Sequence, residues 1–355
     1  MRGIVFDEGG LAVATDLTVR DVRADEVRVD LQAAGVCHSD VSVIDGTIPF
    51  PTPVVLGHEG TGIVSGVGSA VSGLSVGDHV VISTLSNCGA CAACDSGRPT
   101  HCRESIGKMS APFRQGDRKV LQFANIGAFS EQTVVKARQA VPINKEVPFE
   151  VASLLGCGVI TGVGAVFNRA KVTHGQSVLV IGVGGIGLNV IQGAALADAL
   201  PIIAVDSNPR KEALARQFGA THFIDASQVD TLEAVKEICP DGVDVSFECV
   251  GHPALIRTAI DALDWGGTAV ILGVPKFGTE ANFLVSSMYN DKTIMGCRYG
   301  AGRPHKDIPR FVDLYLAGRL KLDELVTRTY DLGDIQQTID DMHGGDLARG
   351  VLRIG

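Results

Sequence analysis

Cys88-Gly-Ala-Cys91-Ala-Ala-Cys94, with Cys102 after seven intervening residues, is a series of sulfurs spaced for a metal. Four thiolates can close a tetrahedron about a zinc ion at about 2.3 Å each. Two-residue spacers let the backbone curl round the ion, and the longer spacer returns the fourth sulfur. Such a site has no open coordination position, so it holds a loop and does no chemistry. Short cysteine spacers also serve iron–sulfur clusters, which compete with zinc for this reading. The Gly, Asn, Asp, Ser and Pro residues around the sulfurs argue against four scattered core cysteines.

A second set stands out by context. Cys37 lies in Ala34-Gly35-Val36-Cys37-His38-Ser39-Asp40, at the end of an expected strand. His58 lies in Gly57-His58-Glu59-Gly60-Thr61-Gly62, and Cys157 in Leu155-Gly156-Cys157-Gly158. No local spacing joins them. Alone they read as a buried thiol, a core histidine and a small residue in a turn, but their glycines leave room for an ion and a cofactor.

The third set is a glycine turn. The apolar run Val178–Ile181 leads into Gly182-Val183-Gly184-Gly185-Ile186-Gly187, and Asp206 ends the next apolar run, 19 residues beyond Gly187. Strand, turn, helix, strand and acid in that order form the context of a dinucleotide fingerprint. Gly182 and Gly184 permit the tight turn and the approach of a ligand, and Gly187 lets helix and strand pack closely. A pyrophosphate then sits at the positive end of the helix. Asp206 is placed to accept from the ribose hydroxyls and repels a 2′-phosphate, which favours NAD. Arg210 leaves NADP open.

The elements that must position these residues follow from periodicity. The chain has 355 residues, enough for two domains. Its first 155 or so alternate short Val/Ile-rich runs with glycine turns, a β-rich pattern. After Gly158, the compact runs 178–181, 202–205, 243–248 and 269–272 alternate with helix-length segments 210–218, 231–238 and 254–263. That alternation implies a parallel sheet with right-handed crossovers. Amphipathic stretches at 308–317 and 335–342 return to mixed character. The expected organisation is a β-rich domain, 1–158 completed by 302–355, interrupted by a doubly wound α/β domain at 159–301.

Composition closes off other classes. Lys and Arg total 31 against 40 Asp and Glu, a net charge of −9 without a basic run, so no nucleic-acid surface is expected. Nine cysteines in a chain of this length suit a reducing, cytoplasmic compartment. Asp7 and Glu8 break the first apolar run, so no signal peptide is expected. The uncharged stretch 178–197 is long enough to span a bilayer, but its bunched glycines fit a strand, a turn and a packed helix better. No membrane partner is expected.

Gly57-His58-Glu59-x-x-Gly62, with Gly68 and Val71, resembles the signature of the zinc alcohol dehydrogenases of the medium-chain dehydrogenase/reductase superfamily. The Cys37 segment, the four-cysteine loop, Gly156-Cys157-Gly158 and the glycine turn occur in that family's order, so the resemblance covers essentially the whole chain. It implies a GroES-like catalytic domain and a Rossmann cofactor domain. By the resemblance, Cys37, His58 and Cys157 hold a catalytic zinc with one position open, and Cys88, Cys91, Cys94 and Cys102 a structural one. Asp40 would orient the ligand histidine, and Glu59 would stand behind the metal. Lys211 resembles the lysine at the ribose. His38 falls where relatives often carry an arginine near the pyrophosphate, and Arg353 matches their C-terminal arginine.

The implied activity is reversible oxidation of an alcohol to aldehyde or ketone, with Ser39 taking the proton and NAD the hydride. Ser42 stands where relatives often place a relay histidine, which leaves the end of the relay undetermined. Thr84 replaces a phenylalanine of some relatives, implying a roomier pocket for medium or bulky primary alcohols. The alternatives are a thiol-adduct dehydrogenase of the formaldehyde-detoxifying branch, an enzyme that keeps NAD bound and uses an external acceptor, and a non-catalytic NAD-binding protein. A homodimer or homotetramer is implied, joined at a sheet edge supplied by 270–274 followed by 283–288.

Overall fold

The computed structural model describes residues 1–105, 107–345 and 347–355. The chain divides into two compact units, Met1–Gly158 with Arg303–Gly355, and Val159–Gly302. The first holds a six-stranded and a seven-stranded sheet. Its central strand, Glu26–Val36, is buried along most of its length because Val27, Val29 and Leu31 alternate into a core with Val64, Val80, Ile82 and Phe129.

Three strand pairings decide what meets at the carboxyl end of that strand. Along one edge it runs antiparallel to Glu59–Val67, with Gly35 opposite Glu59. Along the other edge lies Arg349–Arg353, also antiparallel, with Gly350 opposite Val36. One step beyond these last pairs stand Cys37, His58 and Arg349. The next strand out, His79–Ile82, puts Ile82 opposite Gly60. Gly156 lies so close to Ile82 that a side chain there would run into the Ile82 carbonyl oxygen. That approach delivers Cys157 to the same end of the sheet.

The second unit is one six-stranded sheet in the order His222–Asp225, Ile202–Asp206, Val178–Ile181, Val243–Glu248, Leu263–Ile271, Thr293–Gly296. Every pairing is parallel. All four residues of Val178–Ile181 are buried, as a strand covered on both faces requires. The chain builds outward first on one side of this strand and then on the other. The reversal falls between Val178–Ile181 and Val243–Glu248, where open α/β sheets receive ligands. Helix Gly185–Leu196 starts directly after the glycine turn.

Two expectations are corrected here. The stretch 254–263 is not wholly helical: helix Pro253–Asp261 ends before Leu263, which begins the strand Leu263–Ile271 opposite Val243. The strand passes through Gly266 and Gly267, with Gly266 at φ +71 and an irregular register. The stretch 283–288 supplies no sheet edge. Val285–Asn290 forms 3-10 turns with Val285 exposed, and the edge strand is Thr293–Gly296. The stretch 178–197 is a strand, a turn and a helix, and among the described residues no single helix is long and apolar enough to cross a membrane.

Candidate functional site

Asp40 ties together the segments that carry Cys37 and His58. It sits in the first turn of helix His38–Ile44, almost fully buried. Its Oδ2 accepts the Cys37 N–H at 3.2 Å, and its Oδ1 accepts the Gly57 N–H at 3.0 Å and faces His58 Nδ1 at 3.2 Å. One carboxylate thus fixes both the segment that carries the thiol and the ring that follows Gly57. His58 is packed edge-on by Phe123, ring centres 5.4 Å apart, and Phe50 packs edge-on against Phe123 at 5.3 Å.

Cys157 is the neighbour that acts most strongly on the Cys37 thiol and, helped by His58, holds it well below its ordinary range against the opposing effect of burial. Cys37 in turn, together with burial, pushes Cys157 well up. Burial works against a charged His58, but the Asp40 carboxylate and Cys157 outweigh it and raise the ring. Behind them Glu59 and Arg349 form a buried ion pair. Burial raises the Glu59 carboxyl, and Arg349 only partly offsets it. Glu59 keeps its space because Gly35 has no side chain; one there would collide with the carboxylate.

This donor set fits zinc. Cys37, His58 and Glu59 offer ligand atoms within 4.8 Å of one another, a group that includes Glu59 and not the expected Cys157, which stands beside Cys37 and His58. Glu59 Oε1 is buried without a hydrogen-bond partner. With both thiols ionised, the Asp40 and Glu59 carboxylates and the Arg349 guanidinium would leave the cluster negative by three, which a dication would largely neutralise. A thiol and an imidazole pushed up in this way hold their protons more tightly and release them when a metal binds.

The four sulfurs of Cys88, Cys91, Cys94 and Cys102 also lie within 4.8 Å of one another. The loop aims N–H groups at them. Ala90 and Cys91 donate to Cys88 Sγ at 3.5 and 3.3 Å, Cys88 donates to Cys102 Sγ at 3.4 Å, and Asn87 Nδ2 to Cys94 Sγ at 3.5 Å. The two backbone donors lower the Cys88 thiol to about 6, so it is a thiolate at neutral pH.

In the second unit, Gly182 turns at φ +94, a conformation that favours glycine. A side chain on Gly187 would strike the Gly182 carbonyl oxygen, whereas Gly184 faces open space. The turn is therefore closed on the protein side and open on the side a pyrophosphate needs. Gly185, Ile186 and Gly187 form the first helical turn, whose N–H groups lack intrahelical partners. Asp206 Oδ2 accepts the Val183 N–H at 2.8 Å and faces Lys211 Nζ at 3.1 Å, while Oδ1 accepts from Asn208 at 3.0 Å. The acid expected to read the ribose also holds the glycine turn and the lysine expected beside it.

Ser39 is half-buried with its Oγ 4.0 Å from Cys37 Sγ, and His38 is exposed in the same helical turn. Arg353 lies away from the cluster. It pairs with Ala33 and bonds Glu150 at 3.0 Å, four residues past Arg349, or about 13 Å along a strand. Arg349 is the arginine at the cluster, and the sequence reading passed over it and over Phe50. Nothing in local spacing marks Arg349; only its strand register brings it beside Cys37.

Residues 23–145 match the alcohol dehydrogenase GroES-like domain, and residues 185–317 match the zinc-binding dehydrogenase domain. An S-(hydroxymethyl)glutathione dehydrogenase of Synechocystis sp. is 38% identical over 361 aligned positions, covering 98% of each chain. The chain belongs to the zinc-dependent medium-chain alcohol dehydrogenase family. Among solved structures, benzyl alcohol dehydrogenase from Acinetobacter calcoaceticus is 36% identical with a TM-score of 0.94, covering 100% of this chain and 99% of its own. An alcohol dehydrogenase zinc-binding domain protein from Burkholderia ambifaria is 37% identical with a TM-score of 0.95, covering 100% and 98%. The dehydrogenase is thus an oxidoreductase, with zinc and a nicotinamide dinucleotide as its cofactors.

Asp40→Asn should lower zinc affinity at the Cys37 centre by roughly 10- to 100-fold, as measured by chelator competition. Unchanged affinity would remove Asp40 from the account. In chelator-treated dehydrogenase, alkylation of Cys88 by iodoacetamide should stay fast from alkaline pH down to about 6 and slow below it. The thiolate is the reactive form, so a lowered pKa extends reactivity towards acid. Peptide mapping that shows the rate already falling at pH 8 would contradict this.

Proposed function

We propose that the dehydrogenase oxidises bulky, benzylic-type primary alcohols to aldehydes, reversibly and with NAD. The observation that carries this reading is the aromatic wall at the metal centre, where Phe123 packs on the ligand ring of His58 and Phe50 on Phe123. Thr84 adds room: it is small, and its Oγ1 is turned away to donate to the Gly156 carbonyl at 3.1 Å. Benzyl alcohol dehydrogenase among the similar structures supports the same class.

Cys37, His58 and Cys157 would hold the catalytic zinc, and the four-cysteine loop a second, structural one. Zinc in the first site supplies a Lewis acid that favours alkoxide over alcohol at neutral pH. Asp40 keeps the His58 ring oriented. Ser39 Oγ takes the alcohol proton, and NAD held by the Gly182–Gly187 turn, Asp206 and Lys211 would supply the hydride acceptor. A serine hydroxyl cannot retain that proton, so Ser39 passes it on. Ser42 has no titratable group to receive it, and water completes the relay. Asp206 supports NAD over NADP because its carboxylate repels a 2′-phosphate.

A second reading, a dehydrogenase for S-(hydroxymethyl)glutathione, is favoured by the Synechocystis relative of that name. A panel on zinc-quantified protein separates the two: benzyl alcohol, ethanol, and formaldehyde with and without glutathione, each with NAD and NADP. Benzyl alcohol with NAD should give the highest kcat/KM, and Ser39→Ala should cut kcat by roughly 10²- to 10⁴-fold with zinc retained. Activity confined to formaldehyde plus glutathione would establish the second reading instead. NADH released by denaturing the purified protein would point to tightly held cofactor.

We also propose that a second copy of the chain covers the side of the cofactor unit carrying Phe277, Leu284, Val285 and Tyr289. These apolar side chains are 92, 57, 74 and 88% exposed, and the neighbouring edge strand Thr293–Gly296 has one free side. Apolar exposure of this kind marks interaction surfaces. Light scattering should give at least twice the 37.1 kDa of one chain, and a monomer at micromolar concentration would refute the pairing.

A further inference from the structure

Glu248 ends the strand Val243–Glu248 and is fully buried, yet it takes no part in the chemistry assigned so far. Its Oε1 accepts the N–H groups of Val250 at 3.0 Å and Gly251 at 2.7 Å. Its main-chain oxygen accepts those of Leu272 at 2.8 Å and Gly273 at 3.0 Å. One residue therefore holds the loops that follow two neighbouring strands, at the ligand-receiving end of the sheet.

The grip reaches the glycine turn. The Cys249 N–H donates to the Ile181 carbonyl at 2.9 Å, just before the turn begins. Gly251 stands at φ +88, where a side chain would come within 2.8 Å of the Val274 backbone, and a side chain on Gly273 would strike the Gly251 nitrogen. The two loops thus lie backbone against backbone. Val250 is carried over the turn, since a Cβ built on Gly182 would fall 2.6 Å from Val250 Cγ2. Its side chain is half exposed, so it borders the open side of the turn.

An ion pair does not explain this carboxyl. Glu248 Oε2 is buried without a partner, and burial raises the group. Burying a carboxyl without a cation costs stability unless its hydrogen bonds are needed. The bonds it makes all shape the loops.

We propose that Glu248 is a positioning residue for the dinucleotide, holding the Val250 and Gly251 N–H groups so that Val250 stands against the glycine turn and sets the affinity for NAD and NADH. The proposal rests on reading Gly182–Gly187 as the dinucleotide turn.

The test uses the zinc-loaded full chain and NADH fluorescence titration beside steady-state kinetics. Glu248→Ala should weaken NADH binding by about tenfold or more and raise KM for NAD in step, with kcat changed by less than about threefold. Glu248→Gln keeps the accepting oxygen and should stay within about threefold of wild type. Val250→Ala, which leaves Glu248 intact, should weaken binding by at least about threefold even where Glu248→Ala fails to fold. A folded Glu248→Ala with wild-type affinity overturns the proposal, as does Glu248→Gln as weak as Glu248→Ala or an unaffected Val250→Ala. A wild type that binds neither NAD nor NADH sinks the dinucleotide reading itself.

Discussion

The pairing of Gly35 with Glu59 across two antiparallel strands is the constraint on which the catalytic unit depends. A slip of one residue would turn every side chain of one strand to the opposite face. Cys37 would then face away from His58, and Asp40 would lose the Gly57 N–H through which it joins the two segments. The core valines resist such a slip, because either Val27 and Val29 on one strand or Val64 on its partner would leave the interior with it. Hydrophobic alternation far from Cys37 and His58 therefore enforces their geometry.

The buried Glu59–Arg349 pair follows from the same constraint. Taking both charges out of water costs several kcal/mol per ion, so the pair is poor evidence of stability by itself. Its sense is electrostatic. The guanidinium sits beside two sulfurs that must be ionised to bind a metal, and it balances the carboxylate that would otherwise oppose their ionisation. In the cofactor unit carboxylates again stand at strand ends, but there backbone N–H groups hold them. Asp206 binds the Val183 N–H and Glu248 the N–H groups of Val250 and Gly251.

Residues whose chemistry is written in local spacing were legible in the sequence. The four-cysteine loop, the glycine turn and Asp206 all lie within short stretches where type and interval carry the meaning. The alternation of apolar runs and helical segments likewise announced the parallel sheet. Residues joined only by register were not legible. Arg349 and Arg353 share a strand and a parity, and only the pairing of Gly350 with Val36 shows which arginine reaches the cluster. Phe50 belongs with them, because its packing on Phe123 is a contact between distant loops. The misplaced start of the strand Leu263–Ile271 has another cause: its apolar run begins only at Ala269, while the residues before it, Gly266 and Gly267 among them, join the sheet through an irregular register.

The catalytic unit is discontinuous, and its second piece ends in the strand that lies beside Glu26–Val36. During synthesis the residues of the cofactor unit leave the ribosome while the earlier sheet still lacks this strand. Nucleotide-binding structure can thus form on a nascent chain whose metal centre has no arginine. A chain lacking the strand Arg349–Arg353 would carry an intact cofactor fold and an open edge on the first sheet, a species prone to pair with other chains. Quality control therefore falls on the strand Arg349–Arg353.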